Sequence, residues 1–235
     1  MTEVLYMPDI ESNYIREWDA EVTKAKDDYV VLDKSAFYPL GGGQPSDTGF
    51  LEWSGGKARV REVTKKGIIK HHIDGQLPSG MVKASLDWDR RYGHMRMHTA
   101  QHIVSGIVYD EYGARTVGNQ LYADRARVDL HPISLSEDDL RTIEQKANDV
   151  IAGNVDVRII EVERADLEQR VNPERCNLDL IPKSVSNLRV VEVTGFDQCP
   201  CAGTHVKNTG ELGKVSILKK ENKGKDRERI IYTLE

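Results

Sequence analysis

His98 and His102 stand four residues apart, and so do Cys201 and His205. On a helix, side chains at i and i+4 project from the same face one turn apart. Two imidazoles spaced this way can reach one metal ion at about 2.0–2.1 Å each. His94 continues the histidine series by one further step of four. A histidine pair alone is equally compatible with surface or hydrogen-bonded rings, and a cysteine with a small buried apolar residue. Two half-sites in one chain, offering imidazole and thiolate, form a donor set that zinc favours in four-coordinate sites. Zinc fingers and ribbons place such pairs in one small unit, whereas roughly a hundred residues lie between these two. The site must be assembled by tertiary folding, which suits a functional cleft.

The setting of these residues is that of an ordinary globular chain. Its 235 residues suffice for one large core or two small domains, and 39% hydrophobic with 30% charged residues is typical of soluble folds. No apolar run reaches the roughly 20 residues of a membrane span. The N-terminus lacks the basic and apolar stretches of a secretory signal, so the cytosol is the expected compartment. Three cysteines, Cys176, Cys199 and Cys201, are too few and too unevenly placed for a disulfide framework.

The net charge of −5 does not mark a nucleic-acid binder, but its distribution is uneven. Seven basic residues face three acidic ones between Lys214 and Arg229, and six arginines lie between Arg90 and Arg127. By themselves such runs describe solvated faces.

The elements that must position the cluster divide near Trp88. Residues 1–88 read as β-rich: Tyr29–Leu32, Phe50–Trp53, Ala58–Thr64, Ile68–Ile73 and Met81–Leu86 are short strands between turn signals, including a loop over 74–80. That pattern predicts a small barrel or sandwich. Phe37 to Gly49 is turn-rich and holds Gly41-Gly42-Gly43-Gln44. Arg90–Tyr112 has helical spacing with Gly113 as its stop. Leu121–Leu130 alternates as a strand. Ser136 caps a helix running to Gly153, with acids in its first turn. Val155–Val162 and Leu188–Thr194 read as strands, Arg164–Arg170 as a short helix, and Leu212–Leu218 with Arg229–Leu234 as a closing hairpin. Residues 89–235 are therefore expected to be α+β, with a mixed or antiparallel sheet and packed helices.

His98-Thr99-Ala100-Gln101-His102 and Cys201-Ala202-Gly203-Thr204-His205 resemble the HxxxH and CxxxH signatures of the alanyl-tRNA synthetase editing domain and of the free-standing AlaX editing proteins. The resemblance covers nearly the whole chain. Phe37–Gly49 looks like the family's glycine-rich element, Asp87–Arg96 like the lead-in to its editing helix, and Asp124–Asp129 and Thr209–Gly213 like further family stretches. Length and N-terminal region are similar to the medium-sized AlaX class. Two residues depart from the pattern: Cys199, where the family usually has another residue type, and Ala202, where glycine is common.

The resemblance implies one Zn2+ per chain, held by His98, His102, Cys201 and His205, with His94 outside the ligand set. It implies a hydrolase acting on the ester of mischarged tRNA(Ala), with seryl-tRNA(Ala) the expected substrate and glycyl-tRNA(Ala) a second one. Four protein ligands make a closed site, which leaves two versions open. The ion activates water directly, or it anchors the terminal adenosine or amino acid while Thr99, Gln120 or Asp124 orients the water. Gly41, Gly42, Gly43 and Gln44 are expected to take part in substrate discrimination, the alternative being a turn between strands. Arg90, Arg91, Arg96, Lys219 and Lys220, with Lys223 and Lys225, are expected to meet tRNA phosphates. Two rivals stand beside this reading: a non-catalytic zinc module that binds tRNA or a synthetase, and a deacylase of seryl-tRNA(Thr).

Overall fold

The computed structural model describes residues 1–26, 28–75, 80–172, 174–176 and 178–235. Of the loop expected over 74–80, Gln76–Ser79 lies outside the described residues.

Chain order begins with β1 (Glu3–Val4), β2 (Glu17–Lys26), β3 (Tyr29–Leu32), β4 (Lys34–Ser35), β5 (Gly49–Trp53), β6 (Gly56–Lys66), β7 (Ile68–Asp74) and β8 (Gly80–Leu86). Six of these close into a barrel in the order β2-β3-β7-β6-β5-β8. Closure follows from alternation: Val30 and Leu32, Val60 and Val63, Ile69 and Ile73, and Val82 and Ala84 all turn inward and are buried. Of the two architectures open to the sequence, the barrel is the one formed. β1 and β4 make a short parallel pair beside it.

The second half starts with α1 (Trp88–Tyr112), which ends where Gly113 takes φ +66°. It continues with β9 (Arg115–Leu121), β10 (Ala126–His131), α2 (Glu137–Ala152), β11 (Val157–Glu163), α3 (Arg164–Arg170), β12 (Asn187–Val193), β13 (Asp197–Pro200), β14 (Val215–Asn222) and β15 (Glu228–Leu234). The sheets are antiparallel, in orders β14-β15-β10-β9 and β11-β12-β13. The fold class is α+β, as expected. Ser136 and Asp139 form a reciprocal capping box at the start of α2. Helices α1 and α2 pack a common core with the four-stranded sheet through Met97, Ile103, Ile107, Ile143, Val128 and Ile230. No described helix is long and apolar enough to cross a membrane.

Two expectations of local structure are corrected. The strand placed over Leu121–Leu130 is two strands, because the chain turns at 122–125, where Tyr122 N–H donates to Arg125 O at 2.9 Å. β9 itself is polar in sequence and half-buried, so it carries no apolar run. Leu212 belongs to a 3-10 turn (Thr209–Leu212), and the last hairpin opens at Val215.

Barrel and second half are joined by a buried ion pair. Arg91, in the first turn of α1, is 0% exposed and holds Asp47, which follows the glycine-rich turn. Its guanidinium also donates to Asn13 O at 3.0 Å and Ala36 O at 2.5 Å.

Candidate metal centre

Helix α1 presents His98 and His102 one turn apart on a face buried against the loop that follows β13. That loop brings Cys201 and His205 to the same point, so the two distant motifs meet. One ligand atom from each of the four residues lies within 4.8 Å of the others, a group that could hold a metal ion. Cys201 Sγ is 3.5 Å from His98 Nε2 and 3.4 Å from His205 Nε2. Edges of about 3.5 Å are those of a tetrahedron around an ion bound at about 2.3 Å to sulfur and about 2.0 Å to nitrogen.

Each imidazole faces a polar side chain through Nδ1, by a hydrogen bond for His98 and His205 and at ion-pair distance for His102. His98 Nδ1 lies 2.9 Å from Gln44 Oε1. His205 Nδ1 lies 3.2 Å from Thr99 Oγ1, and Thr99 has its own proton on Met95 O at 3.0 Å. His102 Nδ1 lies 3.4 Å from Asp197 Oδ2, while Arg175 holds the other carboxylate oxygen at 2.6 Å. An Nδ1–H donated to an acceptor leaves the Nε2 lone pair free for a cation, which sets the tautomer a metal site requires.

The electrostatics differ from one member of the group to the next. Burial pushes the Cys201 thiol up, but His98 and His205 beside it more than offset this and hold it well below its usual range. Burial alone pulls His102 down, yet Asp197 and the Cys201 sulfur raise it to about 10. His205 is held well below its ordinary value, chiefly by burial.

Backbone placement of the cysteine loop has its own causes. Arg189 on β12 donates to Met7 O at 2.9 Å, to Gly203 O at 3.1 Å and to Cys201 O, a fork that ties the loop to the N-terminal segment. Asn13 Oδ1 accepts the His205 N–H at 2.7 Å. Gly203 is obligatory: a Cβ there would stand 2.1 Å from His98 Cε1.

A cavity of about 830 Å³ opens beside the cluster. Its lining includes His98, His102 and Cys201, together with Gly41, Gly42, Tyr38, Gln101, Ser105 and Asn119. Gln101 donates to Ser105 Oγ at 2.7 Å.

Several residues expected to act on substrate are placed elsewhere. Thr99 is fully buried behind His205, on its Nδ1 side, and outside the cavity lining. Asp124 is exposed in the β9–β10 turn and outside the lining. Gln120, also outside it, donates to Gly43 O at 3.3 Å and helps dock the glycine-rich turn. Gly43 and Gln44 lie behind the lining that Gly41 and Gly42 share. Arg91 leaves the set of phosphate contacts, because a guanidinium with no exposed surface reaches no RNA backbone.

The other expected phosphate contacts also meet the chain itself. Arg96 donates to Glu211 O at 2.9 Å and Arg90 to Ser46 O at 3.1 Å. Lys219 pairs with Glu221 at 2.8 Å, and Lys223 with the same carboxylate at 3.0 Å. Lys220 reaches Leu135 O and lies 3.8 Å from Glu228.

His94 lies outside the four-residue group, with both ring nitrogens buried and unpaired among the described residues. Burial, with Arg90 and Arg91 adding to it, lowers it to about 3. Cys199 is likewise outside the group; a hydrogen bond with the Cys176 thiol, together with burial, pushes its thiol well above its usual value. All three cysteines are free. Sequence reasoning missed Asp197, Gln44 as a ligand support, Asn13 and Arg189. None of them stands within a motif's spacing of the residue it faces; Asp197 is four residues before Cys201 but faces His102.

Residues 188–231 match the family described as Threonyl and Alanyl tRNA synthetase second additional domain, and residues 10–90 match tRNA synthetases class II (A). The four-residue group that could hold a metal ion and these matches define a chain of the synthetase-editing class. Full-length relatives narrow this. The chain is 43% identical over 246 residues to Alanyl-tRNA editing protein AlaX-M of Methanosarcina acetivorans, covering 100% of this chain and 99% of the relative. The AlaX-M of Saccharolobus solfataricus is 39% identical over 241 residues, with 100% and 99% covered. Alanine--tRNA ligase of Thermococcus kodakarensis is 39% identical over 238 residues, which is 98% of this chain but 25% of that ligase. The chain belongs to the AlaX-M family of alanyl-tRNA editing proteins.

Proposed function

We propose that the chain edits mischarged tRNA(Ala) as a zinc-dependent deacylase, hydrolysing seryl-tRNA(Ala) and, as a second substrate, glycyl-tRNA(Ala). The observation that carries this reading is the convergence of His98, His102 and Cys201 on the wall of the cavity, with His205 completing the set. The names of the relatives supply the substrate class.

Three imidazoles and one thiolate suit zinc better than magnesium or calcium, which prefer oxygen donors. A zinc ion bound there supplies Lewis acidity and an anchoring positive charge beside an ester carbonyl. The chain's own residues do the rest. Gln44, Thr99 and Asp197 keep the three Nε2 atoms aimed inward. The cavity, at about 830 Å³, is of the size that encloses a small ligand such as an aminoacyl-adenosine. Tyr38, Gln101, Ser105 and Asn119 line it. They give a serine hydroxyl polar partners that alanine would leave unpaired, which is the discrimination an editing site requires. Arg90 and the lysines of the β14–β15 hairpin are the proposed phosphate contacts. In this reading residues 1–88 form a β-rich domain and 89–235 the editing domain, and work on charged tRNA implies a cytosolic location.

The test is a deacylation panel with purified protein on Ser-, Gly- and Ala-tRNA(Ala) and on Ser-tRNA(Thr), with and without chelator. The expected result is fast loss of serine from tRNA(Ala), slower loss of glycine, sparing of alanine, and arrest by chelator with recovery on zinc. Protection of the ester instead of turnover would make the chain a binding module. Faster turnover of Ser-tRNA(Thr) would move it to the threonine branch.

A further inference from the structure

We infer that Gln44, carried on the barrel's glycine-rich turn, is a positioning residue for the ligand His98, so that the barrel sets the metal affinity of a centre built on the other half of the chain. The inference rests on the reading of the four-residue group as a metal site.

Gln44 is 0% exposed, and every polar atom of its side chain is committed. Its Nε2 donates to Thr204 Oγ1 at 2.9 Å, and the Thr204 backbone N–H, which can only donate, fixes Oε1 as the acceptor. That oxygen takes His98 Nδ1–H at 2.9 Å and the Thr204 N–H at 3.3 Å. One amide thus joins a ligand on α1 to the loop between the ligands Cys201 and His205.

The turn that carries Gln44 is itself fixed. Gly41 and Gln44 exchange backbone hydrogen bonds at 3.2 and 2.9 Å. Gly43 takes φ +82°, and a Cβ there would collide with Asn119, so β9 and the turn touch backbone to side chain. Leu121 N–H donates to Gly43 O at 2.8 Å. Three residues on, Asp47 is locked by Arg91. His98 therefore faces a rigid acceptor, with Gly203 packed against its ring edge.

The three ligand supports differ in origin. Thr99 and Asp197 come from the same half of the chain as the rings they hold. Among the described contacts, His98 Nδ1 has its acceptor from the barrel half. Removing a support of this kind typically costs 10–100-fold in metal affinity.

The experiment measures zinc affinity by chelator competition, and the visible spectrum of the cobalt(II)-loaded chain, for full-length wild type, Gln44→Met, Gln44→Glu and Thr204→Val. Gln44→Met keeps volume but removes the acceptor. Zinc binding is expected to weaken about 10–100-fold with an altered cobalt spectrum. Gln44→Glu keeps an oxygen facing His98 with Thr204 donating to it, and is expected to stay within about threefold of wild type, since a charged acceptor satisfies the same Nδ1–H. Thr204→Val, which removes the acceptor of the amide Nε2 and so loosens the amide's hold, is expected to shift affinity in the same direction by less, and it keeps the test alive should Gln44→Met fail to fold. If Gln44 served packing alone, the order would reverse, because burying a carboxylate costs far more than burying a thioether. Wild-type affinity in Gln44→Met, or weaker binding by Gln44→Glu than by Gln44→Met, would overturn the inference. Absence of metal binding by the wild type would instead end the reading of the group as a metal site.

Discussion

Asp197 and His102 form a buried pair in which a carboxylate on β13 holds the back of a ring on α1 at 3.4 Å. Arg175 lies 2.6 Å from the other oxygen. Asp197→Asn retains shape but loses the charge that strengthens His102 as a donor. Zinc affinity is expected to fall about 10–100-fold, with deacylation at saturating zinc reduced less. Chelator competition measures the first quantity, and an affinity equal to wild type would count against the assigned role.

Arg91 and Lys219 separate two uses of positive charge. Arg91→Met leaves Asp47 buried without its partner, and a denaturant melt should show a loss of about 3–5 kcal/mol. The salt dependence of tRNA binding should keep its slope. Lys219→Ala should barely change stability but lower the slope of log affinity against log salt by about 1. An unchanged slope would remove Lys219 from the phosphate contacts.

His71 makes the barrel sensitive to acid. It is 0% exposed, its Nε2 is 2.8 Å from Ser35 Oγ, and burial lowers it from 6.5 to about 4. The unfolded chain therefore takes up a proton that the folded barrel refuses. The associated stability is complete above pH 6.5 and is lost progressively as pH falls toward 4, amounting to about 3 kcal/mol over that window. Urea melts across this range should be steeper in pH for wild type than for His71→Gln. Parallel pH profiles would show that His71 is not the titrating group.

Gly42 has φ +58°, lines the cavity, and has Tyr38 Oη 3.6 Å from where a Cβ would lie. Gly42→Ala fits the space at a backbone cost of about 1 kcal/mol. A methyl at the cavity wall should change the ratio of kcat/KM for seryl and glycyl esters by about tenfold. A ratio unchanged in a folded variant would reduce the glycine to a turn residue.

What could be read in the sequence was whatever depends on neighbours within a turn or two. The i, i+4 histidines gave the helix face, Gly113 its end, Ser136 with Asp139 the cap of α2, and the short strands between turn signals a small barrel or sandwich, of which the barrel formed. The supports of the ligands were not legible, since Gln44 and His98 are 54 residues apart and Asn13 and His205 are 192 apart. No local pattern encodes such a contact. Arg91 misled for a related reason. Within its segment it is one arginine among several, and only the tertiary placement of Asp47 shows that it is sealed inside. β9 escaped notice because a half-buried strand at a sheet edge needs little apolar alternation.

β14 lies at the open edge of its sheet, and its outer ladder is guarded in two ways. Near its start, α2 fills the free positions: Asn148 accepts from Val215 N–H at 2.8 Å and Glu144 from Ile217 N–H at 2.6 Å. Farther along, Lys219 and Lys220 take over, and lysines on an edge repel a second strand. The same side chains proposed as phosphate contacts thus keep copies of the protein from zipping together, and a variant stripped of them would gain a tendency to self-associate.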